Sequence, residues 1–416
     1  MDASVRHNPA VVGETVLVNG REYNVPSRPT VVFVIDGGDP RYLDDALQRG
    51  LMPSLQGTLQ KGGTYAVGKG VMPSLTNPNN LSIVTGVPPG GHGVPGNHYL
   101  DPATQEEVQL TDPAFLRADT IHAQLQKHGK RVLCVTAKDK LRRLLGSGGV
   151  PSVSAERAHE LALPEFQIES LIDTVGRPNP GIYDWDLSPY AMELALAIHR
   201  KRPVDLLYVS LTDYVQHTQP PGGKFADRFF CRFDEILHLY LEEGFLIGIT
   251  ADHGMNAKPH VIYLEDALSD ARVTDARVVL PITDPYVVHH GALGSFAWIH
   301  LPREQRERAR DALAAIEGVE DVLTREEAAK VFEHPPDRIG DLSVTADAQT
   351  ALGKSAAKHD LSGISHEGLR SHGGWHEQSV PIIVSHPLRQ AYVERLRAGV
   401  RNADLHDLLL NGVTLH

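Results

Sequence analysis

Five short apolar runs, the first four closing on polar clusters, constrain what this chain can fold into. TVVFVID occupies residues 30–36, RVLCVTA 131–137, DLLYVSLTD 205–213, FLIGITADHG 245–254 and VPIIVS 380–385. Runs of this length, apolar at every position rather than at alternate ones, mark strands buried on both faces. Helix-like segments separate them, among them YLDDALQRG, DTIHAQLQKHGK and AMELALAIHRKR. The last two end in basic residues, which suits the negative end of a helix dipole. Strands alternating with helices predict an α/β fold, a doubly wound domain with a mostly parallel sheet. Such a fold collects ligand chemistry at the C-terminal ends of its strands. In this chain the polar clusters fall at those ends.

The alternation breaks between residues 257 and 370. SFAWIHL, PREQRERARDALAAIEG, VEDVLT and REEAAKVFE read there as strand, helix, strand and helix. This segment is expected to form an inserted α+β cap domain over the strand ends, with residues 29–256 and 371–416 as the core. Residues 1–28 are expected to form a hairpin extension, since VNGREYNV offers an Asn-Gly turn.

The chain has 416 residues with a formal net charge of −12, which argues against a nucleic-acid partner. No apolar stretch approaches the ~20 residues of a membrane span. The N-terminus lacks a basic region followed by an apolar one, so a cytoplasmic protein is expected. The two cysteines, Cys134 and Cys231, sit in apolar or aromatic surroundings and read as small core residues. A homodimer is compatible with such a chain, but sequence leaves the oligomeric state open.

Twenty-two histidines raise a metal question. A single carboxylate after a strand is most often a turn residue or helix cap. Here Asp36 follows the first run, Asp213 and His217 close the third, and Asp252 and His253 close the fourth. Asp213 and His217 are four apart and share one face of a helix. Asp252 and His253 converge only where the strand has ended, which Gly254 permits. Carboxylates mixed with imidazoles suit zinc and similar divalent ions. Five residues exceed one four-coordinate ion, so two ions are expected. A further histidine is then needed, and His376, nearest the fifth run, is the choice. His372 reads as incidental in a glycine-rich loop, and His289, His290, His359 and His366 are left unassigned.

In VMPSLTNPNN, residues 71–80, Asn77 precedes Pro78. Residues before proline are pushed out of the helical region, which makes Asn77 the expected N-cap and Pro78 the first helical residue. Thr76 then lies just outside a helix N-terminus, a place that favours anions. Local sequence balances a structural loop against a reactive hydroxyl, because a threonine needs a base or a metal to become nucleophilic.

In chain order, VIDGGD, MPSLTNPNN, the Asp213/His217 pair, TADHG and GGWHEQ resemble the alkaline phosphatase superfamily. The similarity is greatest to its nucleotide pyrophosphatase-like branch and, within that, to the phosphonoacetate hydrolases. The resemblance implies an alkaline phosphatase-like fold and two Zn2+ per subunit, with Mn2+ or Fe2+ as substitutes. One zinc would be held by Asp213, His217 and His376, the other by Asp36, Asp252 and His253 with Thr76. It also implies that Thr76 is the nucleophile and that Asn97, in GVPGNHY, donates to a phosphoryl oxygen. Lys138 and Lys140 of VTAKDKLRR would bind the carboxylate of a small anionic phosphonate; in extended chain, residues two apart point to one side. The implied reaction is hydrolysis of the carbon–phosphorus bond of phosphonoacetate. A phosphodiesterase or nucleotide pyrophosphatase of the same superfamily is the alternative, and a non-catalytic metal-dependent phosphonate-binding protein is the alternative from another class.

Overall fold

The computed structural model describes residues 14–283, 290–364 and 367–414. His289, His366 and the first thirteen residues of the expected extension lie outside them. Strands β1 (Thr15–Val18) and β2 (Arg21–Asn24) pair antiparallel across Asn19-Gly20, whose φ values are 47° and 85°. This is the positive-φ turn that an Asn-Gly pair favours.

The chain then lays down β3 (Thr30–Val34), β4 (Thr64–Lys69), β5 (Val132–Thr136), β6 (Ser152–Ser154), β7 (Leu206–Ser210) and β8 (Leu246–Thr250). A second sheet follows, built from β9 (Arg277–Val279), β10 (Phe296–His300), β11 (Val319–Thr324) and β12 (Leu342–Ala346). Finally β13 (Ser379–Val384) returns to the first sheet. The central order is β4-β13-β8-β3-β7-β5-β6. Its strands run parallel apart from β13, which is antiparallel to both neighbours.

β3, β5, β7 and β8 are buried at every residue. Helices on both faces explain why these runs are apolar throughout. Val31 and Phe33 face one core with α4 (Leu187–Lys201) and α6 (Lys224–Glu242), numbered after α1 (Pro40–Gln48), α2 (Thr76–Thr85), α3 (Asp139–Leu145) and α5 (Tyr214–Thr218). Phe33 meets Phe233 and Tyr240 edge-on at 5.6 and 5.0 Å, a geometry favoured by the ring quadrupole. Val32 and Val34 face the opposite core, with Leu81 and Val84 of α2 and Leu141 and Leu144 of α3. The fold is therefore the expected doubly wound α/β architecture.

The second sheet, in order β9-β10-β12-β11, is wholly antiparallel. Leu75 joins its core beside Leu280 and Val344, and Met72 packs with Phe296 and Trp298. The loop before Thr76 is thus anchored in the second sheet, while the helix after it is anchored on the first. Among the described residues, no helix is long and apolar enough to cross a membrane.

Candidate active site

The three central strands β8, β3 and β7 are immediate neighbours, about 4.8 Å apart. Their C-terminal ends therefore bring Asp252 and His253, Asp36, and Asp213 into one place. Just past Asp36, Gly37 takes a φ of 69° and donates its N–H to Asp252 Oδ1 at 3.2 Å. Asp213 immediately precedes α5, and His217, one turn on, faces back with Nε2 3.0 Å from Asp213 Oδ2.

Two buried groups result: Asp36 with Asp252 and His253, and Asp213 with His217 and His372. Within each, ligand atoms lie within 4.8 Å of one another. His372 follows the short strand Arg370–Ser371, which pairs with Asn256–Ala257 just beyond His253. Its ring stacks on that of His253 at 3.5 Å.

Each of the three histidines turns Nδ1 to a backbone carbonyl. His217 meets Arg370 O at 2.6 Å, His253 meets Gly254 O at 2.9 Å and His372 meets Ser74 O at 2.7 Å. A carbonyl only accepts, so Nδ1 carries the proton and a neutral ring keeps its lone pair on Nε2. Such second-sphere bonds orient imidazoles toward metals. Asp36 Oδ1 and His253 Nε2 stand 3.2 Å apart, and neither makes a hydrogen bond. A buried carboxylate and imidazole held this close fit a shared cation, a proton or a metal ion.

Electrostatics agree. Burial and the neighbouring Asp36 carboxylate push the Asp252 carboxyl well above its ordinary range. Burial would lower His253, but Asp252 and Asp36 together lift it to about 9. Burial, with His253 and His217 nearby, holds His372 well below its usual value. The residues thus have donor types and charge suited to divalent metal.

His376 is not brought to either group. In the turn Trp375–Glu377 it is Glu377 that points inward and is fully buried, so the adjacent His376 faces outward. It is exposed, with Nε2 3.1 Å from Glu320 Oε2. Proximity to the fifth run was the wrong guide, because the connection turns over between His372 and the strand. The pairing of Arg370–Ser371 with the chain beyond TADHG is what carries His372 inward, and no local sequence signal announces it. Of the unassigned histidines, His290 is buried with its ring 5.0 Å from that of His217. His359 is a structural residue, accepting from Lys354 N–H at 2.8 Å and facing Gly291 O at 2.7 Å.

The helix bearing Thr76 begins at Thr76 itself, two residues earlier than expected, with Leu75 as an extended N-cap lacking a side-chain bond. Proline is tolerated in the first turn, where its missing N–H would have no intrahelical acceptor. The buried Asn77 N–H, without an intrahelical acceptor, is satisfied from outside the helix by Asn97 Oδ1 at 3.0 Å. Because Asn97 uses its oxygen there, its NH2 group remains the donor end. Thr76 is buried, and its surroundings touch both acidic groups. Asn80 donates to Thr76 O at 3.0 Å and to Asp252 Oδ2 at 3.4 Å; Ser74 O holds His372.

The lysines differ from expectation in geometry. Lys138 is extended (φ −97°, ψ 143°), but α3 starts at Asp139, so strand-like alternation does not put both ammonium groups on one side. Lys138 is buried with Nζ 2.7 Å from Asp213 Oδ1. Lys140 lies half-buried in the first turn of α3.

Residues 30–376 match the family described as Type I phosphodiesterase / nucleotide pyrophosphatase. A phosphonoacetate hydrolase from Sinorhizobium meliloti 1021, crystallised with phosphonoformate, is 42% identical with a TM-score of 0.87, covering 97% of this chain and 100% of that one. Its complex with phosphonoacetate gives the same TM-score at 41% identity and the same coverage. Murine ectonucleotide pyrophosphatase/phosphodiesterase 5 shares the fold, with a TM-score of 0.63 at 18% identity over 94% of this chain and 96% of that one. A Caenorhabditis elegans ectonucleotide pyrophosphatase/phosphodiesterase is 23% identical over 342 residues, 79% of this chain. The chain spans 40% of that relative's length. The chain is a hydrolase that belongs to the type I phosphodiesterase / nucleotide pyrophosphatase family, within the alkaline phosphatase superfamily.

Proposed function

We propose that the chain hydrolyses phosphonoacetate to acetate and phosphate. The observation that carries this reading is the likeness, over nearly the whole of both chains, to a phosphonoacetate hydrolase. Two divalent ions, zinc in this reading, would be held by Asp36, Asp252 and His253 with Thr76, and by Asp213, His217 and His372. When bound they supply Lewis acidity, which lowers the pKa of a hydroxyl and offsets phosphonate charge.

The chain's own residues divide the remaining work. Thr76, its hydroxyl proton released to solvent, attacks phosphorus through Oγ, forming a P–O bond as the P–C bond breaks. The electron pair leaves on carbon, spreads into the adjacent carboxylate as an enolate, and is quenched by a proton from water to give acetate. Lys138 and Lys140 stabilise that growing charge, a contribution that counts only as it becomes larger in the transition state. Asn97 offers its NH2 group to a phosphoryl oxygen. Water then cleaves phosphothreonine, releasing phosphate and restoring Thr76. Residues 257–370, with their own sheet, act in this reading as a cap.

A substrate panel tests the proposal. Phosphonoacetate should be turned over ahead of phosphonoacetaldehyde and of aryl phosphate monoesters and diesters; a diester ranking first would replace this reading with the phosphodiesterase one. Removing metal with a chelator should abolish turnover and added zinc should restore it, whereas full activity without metal would sink the mechanism. Lys140→Ala is the cleaner lysine test, since Lys138→Ala would also leave the buried Asp213 carboxylate without its ammonium partner. Losing one preorganised stabiliser costs about 10²–10³-fold. That loss is expected in kcat for phosphonoacetate in Lys140→Ala, with little change for an aryl phosphate, whose leaving group needs no help. Equal losses on both would remove the argument for carboxylate recognition.

A further inference from the structure

Lys258 and Glu377 form a fully buried ion pair, Nζ to Oε1 2.8 Å with both side chains at 0% exposure, and the reaction above makes no use of it. Such a pair adds little stability, because desolvation offsets most of the Coulomb attraction. Its contribution is a fixed geometry. Glu377 uses Oε1 and its backbone carbonyl on the loop after β8 and Oε2 on the loop that carries His372. Oε1 also accepts from Asn256 Nδ2 at 2.6 Å, Oε2 accepts from Gly374 N–H at 3.1 Å, and the backbone carbonyl accepts from Gly254 N–H at 2.6 Å. Lys258 in turn donates to Ala348 O at 3.0 Å, at the turn after β12. The bonds continue to Ser74, whose hydroxyl donates to Gly374 O at 2.8 Å and whose N–H donates to Gly373 O at 3.1 Å. Ser74 O is the acceptor for His372. One carboxylate therefore joins the loop after β8 that carries His253, the loop that carries His372 and the loop that leads into Thr76.

We infer that Glu377, neutralised by Lys258, is a positioning residue that holds these three loops in register for metal binding; the inference rests on the metal-dependent reading above. The test compares zinc affinity, by competition with a chelating dye, in two double variants. Lys258→Met/Glu377→Leu removes both charges and every side-chain acceptor at similar volume. Its zinc affinity is expected to fall by about 10–100-fold, the usual cost of losing a second-sphere partner, with thermal unfolding close to that of the parent. Lys258→Met/Glu377→Gln keeps a carbonyl oxygen for Gly374 or Asn256 and should recover most of the affinity. Parent-like affinity in the folded leucine variant overturns the inference. If that variant does not fold, Ser74→Ala decides, since it removes one hydroxyl from the same relay. A smaller loss of affinity supports the inference, and an unchanged affinity overturns it. Because the dye reads metal without substrate, a parent protein that binds zinc but leaves phosphonoacetate intact would remove the proposed reaction and leave this ranking standing.

Discussion

Thr76→Ala should lower turnover of phosphonoacetate and of an aryl phosphate alike, by on the order of 10³-fold or more, as expected when a covalent nucleophile is removed. Loss of the fold is not the expected cause. Thr76 opens α2 without serving as its side-chain cap, and alanine has the higher helix propensity. The metal groups draw on other side chains, so zinc should still bind, with at most the contribution of one ligand lost. Acid-quenched parent enzyme mixed with excess substrate should yield a peptide phosphorylated at Thr76, and the alanine variant should not. Thr76→Ser keeps a hydroxyl at the same helix start and is expected to retain part of the activity. Near-parent turnover in Thr76→Ala would rule out the covalent step while leaving open direct attack by water.

Substitution of His372 and of His376 should have very different consequences. His372 is buried against His253, with Nδ1 fixed by Ser74 O and Nε2 left toward Asp213 and His217. Replacing it by alanine removes a direct donor, so the loss in zinc affinity and in kcat should exceed the roughly 10–100-fold that outer partners cost. His376 makes an exposed contact with Glu320, and exposed pairs contribute about 0–1 kcal/mol. His376→Ala should therefore leave turnover and metal content near those of the parent. The reverse ranking, with His376 essential and His372 dispensable, would mean that the loop before β13 rearranges when metal binds.

The contrast shows where sequence stops being informative. Asp36, Asp213, Asp252 and His253 were legible because each sits at the end of an apolar run, and a parallel sheet brings such ends together. His217 was legible through its helical spacing from Asp213. His372 was not, since its place depends on a two-residue pairing with a segment more than a hundred positions earlier. Local rules also misplaced the start of α2, because Asn97 satisfies the Asn77 N–H from twenty residues away. The lysine pair was expected to share one side through strand alternation, but the strand ends before it reaches Lys138. For His372 and for the start of α2 a tertiary contact overruled a local preference; for the lysines the strand gave way to a helix. The fold was legible to a greater degree, as burial on both sheet faces is written into composition along each run.

β13 is the last strand of the central sheet to be made, yet it lies inside it, between β4 and β8. Until residues 379–384 have left the ribosome, β4 has no partner and β8 has an open edge. A nascent chain would therefore leave β4 unpaired from residue 69, and the edge of β8 bare from residue 250, until residue 379 is made, and bare edges are templates for mispairing. His372 emerges at nearly the same moment. Sheet closure and completion of the second ligand group thus coincide in time, so a nascent chain cannot assemble that ligand group much before the sheet that supports it.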